Sequence, residues 1–423
     1  SDQDEERSVP VDQKEESVRV LFLTWRDTAN PEGGGSEVYV QNVASALAAA
    51  GHDVTIFCAK YPGSRSLEVV DGVRIVRRGS KVGVHIEALR YLRRPTFGQP
   101  DMIVDVQNGV PFFSRVMNWR APVVVLVHHV HREQWPIVYG PLMSRIGWGI
   151  ESRVAPRIYR GSRYITVSEE SKRELVSLGV SPGRIHVVHN GTPATALSES
   201  PKSAQPTVVV LGRLVPHKRV EHVLEAAAKI RVLVPDLRVE IVGDGWWADR
   251  LQERARDLDL MDLVTFHGFV DEATKHRLLC SAWVMALPSL KEGWGIVVME
   301  AASRGVPCVA YREAGGVTES ILEGRTGVLA DDYAQCVIGL RQLLLDESAR
   351  ERMGESAREH SSHFSMGESA RKFAEVLHAV NASTGDGRRI AVDPLDVVVL
   401  RHEAAGKPAD QEKFNSGHDT SVS

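Results

Sequence analysis

The residues with the strongest chemical signal lie between Ser289 and Glu300. Pro288 and Ser289 close a predicted strand, a short glycine-rich loop follows, and a helix is predicted to begin near Gly295. The first N–H groups of a helix lack intrahelical partners and carry the positive end of its dipole, and Gly293 and Gly295 let an anion approach the backbone closely. The sequence therefore predicts an anion site at this point of the chain.

Two carboxylates flank this predicted anion site. Glu292 and Glu300 are eight residues apart, which corresponds to about 12 Å along a helix. A carboxylate can accept two hydrogen bonds from neighbouring hydroxyls, so one at the sugar and one at the ribose would suit a nucleotide-sugar. The alternative is that Glu300 is a solvated surface acid and Glu292 an ordinary first-turn acid.

A cationic motif follows the predicted strand Thr207–Leu211. Gly212, Arg213 and Lys218 lie just beyond that strand, at the edge where α/β sheets bind ligands. Arg213 offers a planar fork for phosphate oxygens and Lys218 adds a point charge, so together they could neutralise a pyrophosphate leaving group without a metal ion. Taken alone, such a pair is more typical of a solvated face, and its position in the chain is what favours a ligand.

Three consecutive glycines, Gly33 to Gly35, separate the first predicted strand from the first predicted helix. Glycines before a helix allow a phosphate to approach the backbone. A dinucleotide site would need the spacing G-x-G-x-x-G and an acidic residue at the end of the next strand. That spacing is absent and the next strand ends in Ala59-Lys60, which disfavours a nicotinamide enzyme.

Three histidines, His128, His129 and His131, follow the predicted strand at Val123–Val127. The carboxyl end of a parallel strand faces the ligand crevice. No acidic or cysteine partner has a spacing suited to zinc. A polar contact between His128 and a sugar hydroxyl is therefore favoured over a metal site, and we expect no metal ion.

These motifs need a scaffold that brings distant loops together. Alternating predicted strands and helices cover residues 18–191 and again residues 207–380, and residues 192–206 between them have the Pro-, Ser- and Thr-rich composition of a linker. Repeated strand-then-helix order predicts a parallel sheet with crossover helices in each half. The predicted fold class is α/β, with two Rossmann-like doubly wound domains and a cleft between them.

The two ends of the chain are predicted to lie outside these domains. Residues 1–17 are polar and lack apolar periodicity, which predicts a disordered tail. Residues 381–423 are also predicted to be mostly disordered, except that Ile390–Leu400 could form one strand. The last predicted helix, residues 366–380, is expected to pack back on the N-terminal domain.

The composition is that of a globular protein with 423 residues, 43% hydrophobic and 25% charged. The longest apolar runs have strand length, so no membrane span is predicted, and the acidic, polar N-terminus does not read as a secretory signal. The cysteines are widely separated and lack metal-binding spacing, which predicts buried thiols in a reducing compartment. We therefore expect a cytoplasmic location. These cysteines are Cys58, Cys280, Cys308 and Cys336.

The net charge of −4 is unevenly distributed along the chain. Residues 1–17 carry −5, residues 18–200 carry +7 and residues 201–423 carry −6. A basic first half suggests an anionic partner, although scattered solvated arginines would give the same total. We expect no nucleic acid partner.

The arginines at positions 90–94 and 145–163 are interleaved with apolar residues. This pattern suits adsorption of the protein onto an anionic membrane, such as the inner face of the plasma membrane, where a lipid-linked acceptor would be reached. Helices whose arginine stems merely cover apolar surface are the alternative.

Taken together, these motifs resemble those of the family 4 glycosyltransferases, which are retaining enzymes of the two-domain GT-B fold. The resemblance covers roughly residues 18–380. It is most specific in Lys291–Glu300, which matches the family's E-x7-E pattern, and in Gly212–Lys218. The stretch from Gly315 to Gly327 also resembles the conserved end of the family's second domain.

The resemblance implies a role for each matching residue. Glu292 would hold hydroxyls of the donor sugar and Glu300 would hold the ribose. Arg213 and Lys218 would hold the diphosphate, and His128 would lie beside the transferring sugar. The other implied donor-binding positions are Gly34 and Gly35 in the first domain, Gly212, Gly293, the backbone from Gly295 through Ile296 to Val297, and the backbone of Val270 next to the base.

Two positions depart from the family pattern. Trp294 replaces the usual phenylalanine of the motif, which should alter only the packing. Thr192-Pro193 follows Asn190-Gly191, the implied hinge, where an acidic residue is common. We assign no ligand role to Thr192-Pro193.

The resemblance implies transfer of a hexosyl unit from a UDP- or GDP-sugar to a glycan, lipid-linked or small-molecule acceptor. The substitution would be front-face, with retention, and would need no metal or other cofactor. Two alternatives stay open. A nucleotide-sugar epimerase or hydrolase of the same fold would act without an acceptor, and a non-catalytic module would bind the nucleotide-sugar without turnover.

Overall fold

The computed structural model describes residues 17–117, 120–192 and 200–394. Within these ranges the chain forms two sheets, each covered by helices, in the alternating order that the sequence predicts. The predicted tail at residues 1–17 lies outside the described residues except for Ser17. The middle of the predicted linker, residues 193–199, also lies outside them.

The first sheet has eight strands in the order β3-β4-β2-β1-β5-β6-β7-β8. Its strands are Arg19–Leu23 (β1), Asp53–Cys58 (β2), Leu67–Val70 (β3), Val73–Arg77 (β4), Met102–Val106 (β5), Val123–Val127 (β6), Arg163–Thr166 (β7) and Ile185–Val187 (β8). All pairings are parallel except that of β3 with β4. The sequence did not predict β3, and the expectation of a fully parallel sheet is wrong at this edge.

The central strands of this sheet are buried on both faces. Every residue of β5 and β6 is buried, which is why their sequences, MIVDV and VVVLV, are nearly continuous apolar runs. The helices that cover the sheet are Gly35–Ala49 (α1), Val84–Arg93 (α2), Ser114–Met117 (α3), Trp135–Val138 (α4), Pro141–Gly149 (α5), Ala155–Ile158 (α6) and Glu169–Ser177 (α7), with a π-helical turn at Ile150–Val154.

The second sheet has six parallel strands in the order β11-β10-β9-β12-β13-β14. Its strands are Thr207–Leu211 (β9), Arg238–Val242 (β10), Val264–Gly268 (β11), Val284–Leu287 (β12), Cys308–Tyr311 (β13) and Gly327–Ala330 (β14). Its helices are Glu221–Ile230 (α8), Ala248–Asp257 (α9), Glu272–Ser281 (α10), Ile296–Ala302 (α11), Val317–Ser320 (α12), Tyr333–Leu345 (α13) and Glu347–Ser362 (α14). The sequence did not predict β14.

The chain passes between the two sheets twice, at neighbouring places. The first passage begins at Gly191 and Thr192, and the second leads from α14 into the last helix, Met366–Ala382 (α15). The N–H of Thr192 donates to the Phe364 carbonyl at 2.7 Å. A Cβ at Gly191 would lie 2.3 Å from the Met366 Cα, so only glycine allows the two passages to touch.

Helix α15 belongs to the core of the first domain although it follows the second in sequence. The Phe373 ring packs against those of Phe22 and Tyr39, with centroids 6.1 and 6.2 Å away. Phe373 is fully buried there among residues of α1 and β1. Trp294 and Met299 of the second domain belong to the same apolar cluster. The two domains therefore share one hydrophobic core at the hinge.

The segment after α15 is ordered against the first domain. Ile390 and Val392 are buried in its core, and the Arg388 guanidinium pairs with Asp101 at 3.1 Å and with Asp386 at 2.5 Å. The predicted disorder over 381–423 is therefore wrong for residues 381–394. Residues 390–394 form no strand, and the rest of the predicted Ile390–Leu400 strand lies outside the described residues.

The cysteines are free and buried, as their spacing predicts. Burial raises the pKa of the Cys58 and Cys308 thiols well above their usual range, which keeps them uncharged and unreactive. In the part of the chain that the structure describes, no helix combines the length and the apolar character needed to span a bilayer.

Candidate functional site

Loops from the two sheets meet at the start of α1. A Cβ at Gly34 would lie 3.5 Å from the Arg213 Nε, and a Cβ at Gly35 would lie 2.8 Å from the Ile296 Cδ1. The glycine-rich loop of the first domain therefore touches both the cationic loop after β9 and the start of α11. Residues that the sequence could only place in separate motifs line one cleft.

The loop that carries Glu292 is held on both sides. Its backbone forms a bridge with Gly315, in which the Glu292 N–H donates to the Ala314 carbonyl at 2.8 Å. On the other side, a Cβ at Gly293 would lie 2.4 Å from the His128 carbonyl oxygen. The close approach of the domains at Gly293 is possible only because this residue has no side chain.

Trp294 anchors the same loop to the hinge. Its ring is 2% exposed and packs against His189 and Phe364, with centroids 4.5 and 4.9 Å away. The departure from phenylalanine thus enlarges a buried contact beside the second chain passage.

Lys218 and Glu292 form the central ion pair of the cleft. The Lys218 Nζ donates to the Glu292 Oε1 at 2.5 Å, and the two side chains are 20% and 13% exposed. The loops are also joined through their backbones, since the Leu290 N–H donates to the His217 carbonyl at 2.8 Å. An ammonium group has three donors, so Lys218 can keep Glu292 and still donate to a phosphate oxygen.

A second lysine holds Glu300. The Lys275 Nζ donates to the Glu300 Oε1 at 2.8 Å and also pairs with Glu272. Burial disfavours the charged lysine, but the two carboxylates outweigh it and raise the pKa of Lys275. Both glutamates of the E-x7-E pattern are therefore fixed by ion pairs rather than solvated, which argues against the reading of Glu300 as a free surface acid.

Arg213 is a largely desolvated cation at the interface. Burial and the neighbouring Arg26 lower the pKa of Arg213, which nevertheless stays charged because guanidinium pKa values start so high. Its Nη1 donates to the Glu32 carbonyl at 3.3 Å. Arg26 is paired with Glu32 and Glu37 at 3.4 and 3.5 Å, whereas Arg213 forms no ion pair with a carboxylate within the described ranges. Arg213 is therefore the cation here that an anionic ligand could pair with.

Two glycines after β10 allow the Arg213 loop to adopt its position. A Cβ at Gly243 would lie 1.9 Å from the Gly212 carbonyl oxygen, and one at Gly245 would lie 2.2 Å from the Leu214 carbonyl oxygen. The sequence analysis missed both residues. The sequence could have indicated them, because a Gly-Asp-Gly run follows the strand β10, which neighbours β9.

His128, whose backbone borders the Glu292 loop, carries a neutral imidazole. It is 5% exposed, and burial lowers its pKa to about 4 despite the opposing charge of Glu37. Its ring packs edge-on against Tyr39 at 5.4 Å, while its Nε2 has no hydrogen-bond partner among the described residues. A buried ring nitrogen without a partner suits the predicted contact with a sugar hydroxyl.

The neighbouring histidines do not form a metal centre with His128. The His131 Nδ1 lies 3.1 Å from the Glu151 Oε1, and Glu151 also accepts from the Trp135 indole at 2.7 Å. Over residues 17–117, 120–192 and 200–394, no three His, Cys, Asp or Glu side chains are grouped to hold a metal ion.

Glu37 is a residue of the site to which the sequence analysis gave no role. It is 2% exposed, and its Oε2 accepts from the Gly34 N–H at 2.7 Å and from the Ser36 hydroxyl at 2.9 Å. It thereby fixes the glycine loop that touches Arg213. The sequence could have indicated this role, because a glutamate three residues after the N-cap residue, here Gly34, has the spacing of a capping box.

Val270, the position predicted to lie next to the base, is in an apolar environment. It follows β11 at the carboxyl edge of the second sheet and packs, half-buried, on the same apolar cluster as Leu211 and Val297. Its backbone is therefore on the correct edge for a base.

Comparison with family models covers most of the chain. Residues 33–195 match the model described as "Glycosyltransferase Family 4". Residues 196–360 match the model described as "Glycosyl transferases group 1". The boundary between the two matches lies close to the first passage of the chain between the sheets.

Characterised relatives match over nearly their full length. The chain is 26% identical to a glycogen synthase of Mycobacterium tuberculosis, over 81% of this chain and 90% of the relative. It is 27% identical to a GDP-mannose-dependent alpha-(1-6)-phosphatidylinositol monomannoside mannosyltransferase of the same organism, over 86% and 99%.

Solved structures share the architecture. The sucrose-phosphate synthase of Thermosynechococcus elongatus superposes with a TM-score of 0.73 at 19% identity, covering 86% of this chain and all of that one. Anabaena HepE in complex with UDP-glucose superposes with a TM-score of 0.67 at 19% identity, covering 85% and 99%. At these identities the likeness concerns the fold.

Proposed function

This chain belongs to the family 4 glycosyltransferases, and on that basis we propose that it transfers a hexosyl unit, with retention and without a metal ion, from a UDP- or GDP-sugar. The chain is a glycosyltransferase with the GT-B fold, and both predictions are confirmed by the family matches and the shared architecture. The donor, the acceptor, the stereochemistry and the metal independence are the proposed part.

The observation that carries the proposal is the convergence of both domains on one cluster of charges. Lys218 and Glu292 form its centre, Arg213 lies against the Gly34 backbone, and the Glu292 loop touches His128. A diphosphate placed between Lys218 and Arg213 would put its sugar beside Glu292 and His128. The cations would then stabilise the leaving diphosphate as the glycosidic bond to phosphate breaks.

The proposed chemistry needs little beyond electrostatics and positioning. In a front-face substitution the departing phosphate oxygen takes the proton of the acceptor hydroxyl, so the protein has to supply no general base. His128 suits this scheme because its imidazole is neutral at pH 7 and can hydrogen-bond to a sugar hydroxyl without adding charge. We also propose a cytoplasmic location, which the free, buried cysteines support.

The named ligands of the relatives support the donor class. HepE was solved with UDP-glucose, and the mannosyltransferase relative is named for its GDP-mannose dependence. Both nucleotides carry the same diphosphate, so the contacts of Arg213 and Lys218 would serve either. The base would be read by backbone groups near Val270.

A thermal-shift screen of UDP-, GDP-, ADP- and TDP-sugars tests the donor class. A ligand at a hundred times its Kd adds about 2.7 kcal/mol to stability, which raises the Tm of a domain of this size by roughly 5–10 °C. We expect one UDP- or GDP-sugar to give such a shift, and Glu300→Gln to reduce it.

The product of the selected donor then separates the candidate functions. Transfer to an added acceptor with the anomeric configuration of the donor, read by NMR, supports the proposal. Release of free sugar without acceptor identifies a hydrolase, an altered sugar in the donor identifies an epimerase, and binding without turnover identifies a non-catalytic module. Each of these three outcomes, or an inverted anomer, contradicts the proposal.

We further propose that an anionic membrane surface is a partner of the first domain. Helices α4 and α5 carry an apolar face of Ile137, Val138, Leu142, Met143 and Ile146, which are 38% to 71% exposed. Arg145 is exposed on α5 itself, and the exposed Arg153, Arg157 and Arg160 follow it in sequence, in the π-helical turn, in α6 and just after α6. Apolar groups that insert at the interface and cations that pair with lipid phosphates are the two components of peripheral adsorption.

Sedimentation with vesicles tests this membrane contact. We expect the protein to bind phosphatidylglycerol vesicles and to be released by salt, and Leu142→Gln with Ile146→Gln to weaken the binding at least tenfold. The matched control changes two exposed apolar residues of the second domain, Val232→Gln with Leu233→Gln, and should bind as the wild type does. Equal binding by both double variants would exclude the apolar face.

A further inference from the structure

A separate cleft opens in the first domain, away from the Lys218–Glu292 pair. It has a volume of about 600 Å³, which is in the range of small-molecule sites. All its lining residues lie between positions 60 and 87, so it belongs to one domain. The polar groups of its lining include Lys60, Tyr61, Ser66, Arg77, Arg78 and Ser80.

The cleft lies at the carboxyl ends of two hydrogen-bonded strands, β2 and β4. The Arg78 N–H donates to the Cys58 carbonyl and the Lys60 N–H donates to the Gly79 carbonyl, both at 2.9 Å. This pairing places Lys60 and Arg78 next to each other at the sheet edge where α/β proteins bind ligands.

Arg77 forms a wall of the cleft and is already matched by carboxylates. Its guanidinium is buried and donates to Asp27 at 3.0 Å, to Glu68 at 2.8 Å and to the Arg65 carbonyl at 3.1 Å. These contacts use most of its five donors. Arg77 therefore shapes the cleft, and together with its two carboxylates it adds no positive charge.

Lys60 and Arg78 are the cations whose charge is not balanced. Within the described ranges neither of them forms an ion pair with a carboxylate. Arg78 donates one hydrogen bond to the Thr96 hydroxyl at 3.0 Å, and its guanidinium lies over the Tyr91 ring at 5.4 Å from the centroid. Neither contact neutralises its charge, and the hydrogen bond uses one of its five N–H donors. The carboxylate in the lining, Glu87, is paired with Arg90. The cleft therefore has a net positive charge.

The cleft is joined to the donor site by the loop after β1. Strand β4 is two strands from β1 in the sheet, a separation of about 10 Å. Lys81, next to the cleft, pairs with Glu32 at 2.8 Å, and the Glu32 carbonyl accepts from Arg213 at 3.3 Å. An acceptor held in the cleft by one end would therefore have to extend past this loop to bring its reacting hydroxyl to the donor site.

We propose that this cleft binds a phosphate ester carried by the acceptor, and that Lys60 and Arg78 select for it. The inference rests on the proposed sugar transfer and assigns the chemical class of the acceptor. The planar guanidinium of Arg78 matches two phosphate oxygens, Lys60 adds a point charge, and the hydroxyls of Ser66 and Ser80 supply neutral donors.

The donor diphosphate does not account for the cleft. The residues assigned to that diphosphate, Arg213 and Lys218, lie in the second domain, whereas every lining residue of the cleft lies in the first. We therefore assign the anion that the cleft would bind to the acceptor. It fixes the acceptor at a point remote from the bond that forms, which lowers the entropic cost of orienting its hydroxyl.

Calorimetric titration with glucose 6-phosphate tests the assignment. The nucleoside diphosphate selected by the thermal-shift screen is present at saturation, so that Arg213 and Lys218 are occupied. We expect glucose 6-phosphate to bind the wild type more tightly than glucose does, and Lys60→Gln with Arg78→Gln to weaken the binding of the phosphate ester at least tenfold. The single variant Lys60→Gln, which breaks no contact, should weaken it severalfold.

A control of equal charge comes from the second domain. Arg341 and Arg352 are exposed on α13 and α14, and Arg341→Gln with Arg352→Gln should leave the affinity for glucose 6-phosphate unchanged. The affinity for the nucleoside diphosphate should be the same in all these variants, since none of them changes the donor site. Equal binding by the wild type and the Lys60–Arg78 variant would overturn the proposal.

A second probe distinguishes a soluble phosphate ester from a lipid headgroup. Vesicles with phosphatidylinositol are compared with phosphatidylcholine vesicles in the Leu142→Gln, Ile146→Gln background, which removes adsorption through the apolar face. If the protein binds phosphatidylinositol vesicles but not glucose 6-phosphate, and loses the vesicles with Lys60→Gln and Arg78→Gln, the phosphate belongs to a lipid. If it binds glucose 6-phosphate, the phosphate belongs to a soluble acceptor. Binding of neither probe by the wild type overturns the proposal.

The cleft can be tested even if the proposed sugar transfer fails. If no nucleotide-sugar binds, the titrations are repeated in an Arg213→Gln, Lys218→Gln background, where the cations of the donor site are absent. Retained binding of the phosphate ester, still dependent on Lys60 and Arg78, would then show an anion site in a protein of another activity.

Discussion

Replacement of Lys218 with glutamine is expected to lower kcat for sugar transfer by about 10²–10³, or roughly 3–4 kcal/mol in the barrier. Lys218 is the cation paired with Glu292 at 2.5 Å, and negative charge develops on the diphosphate oxygens as the bond to the sugar breaks. Its effect should therefore appear in kcat as well as in KM. Steady-state kinetics with the selected donor provide the measurement.

The neighbouring residue provides the matched control. Arg219 is paired with Glu313 at 2.8 Å, and Arg219→Gln removes the same charge from the same loop without touching the Glu292 pair. It should change kcat by less than about threefold. Addition of EDTA should also leave the wild-type rate unchanged, because in the proposed mechanism Lys218 and Arg213 would take the place of a metal ion. Full activity of Lys218→Gln, or loss of activity in EDTA, would contradict metal-free transfer.

A double-mutant cycle separates two roles of Lys218. If Lys218 acts only by holding Glu292 in place, Lys218→Gln and Glu292→Gln should cost no more together than Glu292→Gln costs alone. If it acts on the diphosphate, the double variant should be slower than either single variant. Coupled residues are non-additive by 0.5–3 kcal/mol in general, so the cycle must be measured on kcat/KM for each variant.

Removal of the Asp27 carboxylate should destabilise the protein by about 3–5 kcal/mol, because it leaves a buried guanidinium without its main partner. Arg77 is 0% exposed. Burial disfavours its charge, and Asp27 outweighs this in the wild type and raises the pKa of Arg77. Without Asp27 the guanidinium still keeps its proton at pH 7, because its intrinsic pKa is so high, and the variant therefore carries the cost of a buried charge. Urea unfolding of Asp27→Ala measures the change as a lower midpoint with an unchanged slope.

The same strand carries the control for this prediction. Arg74 pairs with Asp53 on the partly exposed side of the sheet, where an ion pair contributes at most about 1 kcal/mol. Asp53→Ala should therefore destabilise far less than Asp27→Ala. A double variant, Asp27→Ala with Arg77→Met, should recover part of the loss because no unpaired charge stays buried. Equal effects of Asp27→Ala and Asp53→Ala would contradict the assignment.

The fold was largely predictable because its strands and helices are encoded locally. Buried parallel strands such as β6 are uniform apolar runs. The helices between them have apolar residues that recur with helical spacing. Strand β3 was missed because it is a short edge strand with alternately exposed residues, which gives no continuous apolar signal. The order after α15 was missed for a different reason. It depends on the Arg388–Asp101 contact, across 287 positions of sequence.

The residues of the candidate site could be predicted from the sequence, but the contacts between them could not. Glu292, Glu300, Arg213 and Lys218 were found from motifs, yet the Lys218–Glu292 bond joins residues 74 positions apart, and no local pattern encodes it. The separate cleft illustrates the same limit. In the sequence, Lys60 was notable only as the place where a dinucleotide site would need an acid, and its proximity to Arg78 follows from the order of strands in the sheet.

The doubled passage of the chain at the hinge restricts how the two domains can move. A single connection at Gly191 would leave one domain free to swivel about the bond as well as to swing. A second connecting segment lies beside it, joined through the Thr192–Phe364 hydrogen bond. Swivelling would therefore require the two segments to wind around each other. The motion that such a double connection would still permit is a rotation about one axis, so any opening and closing of the cleft would bring Arg213 back to Gly34 in the same alignment.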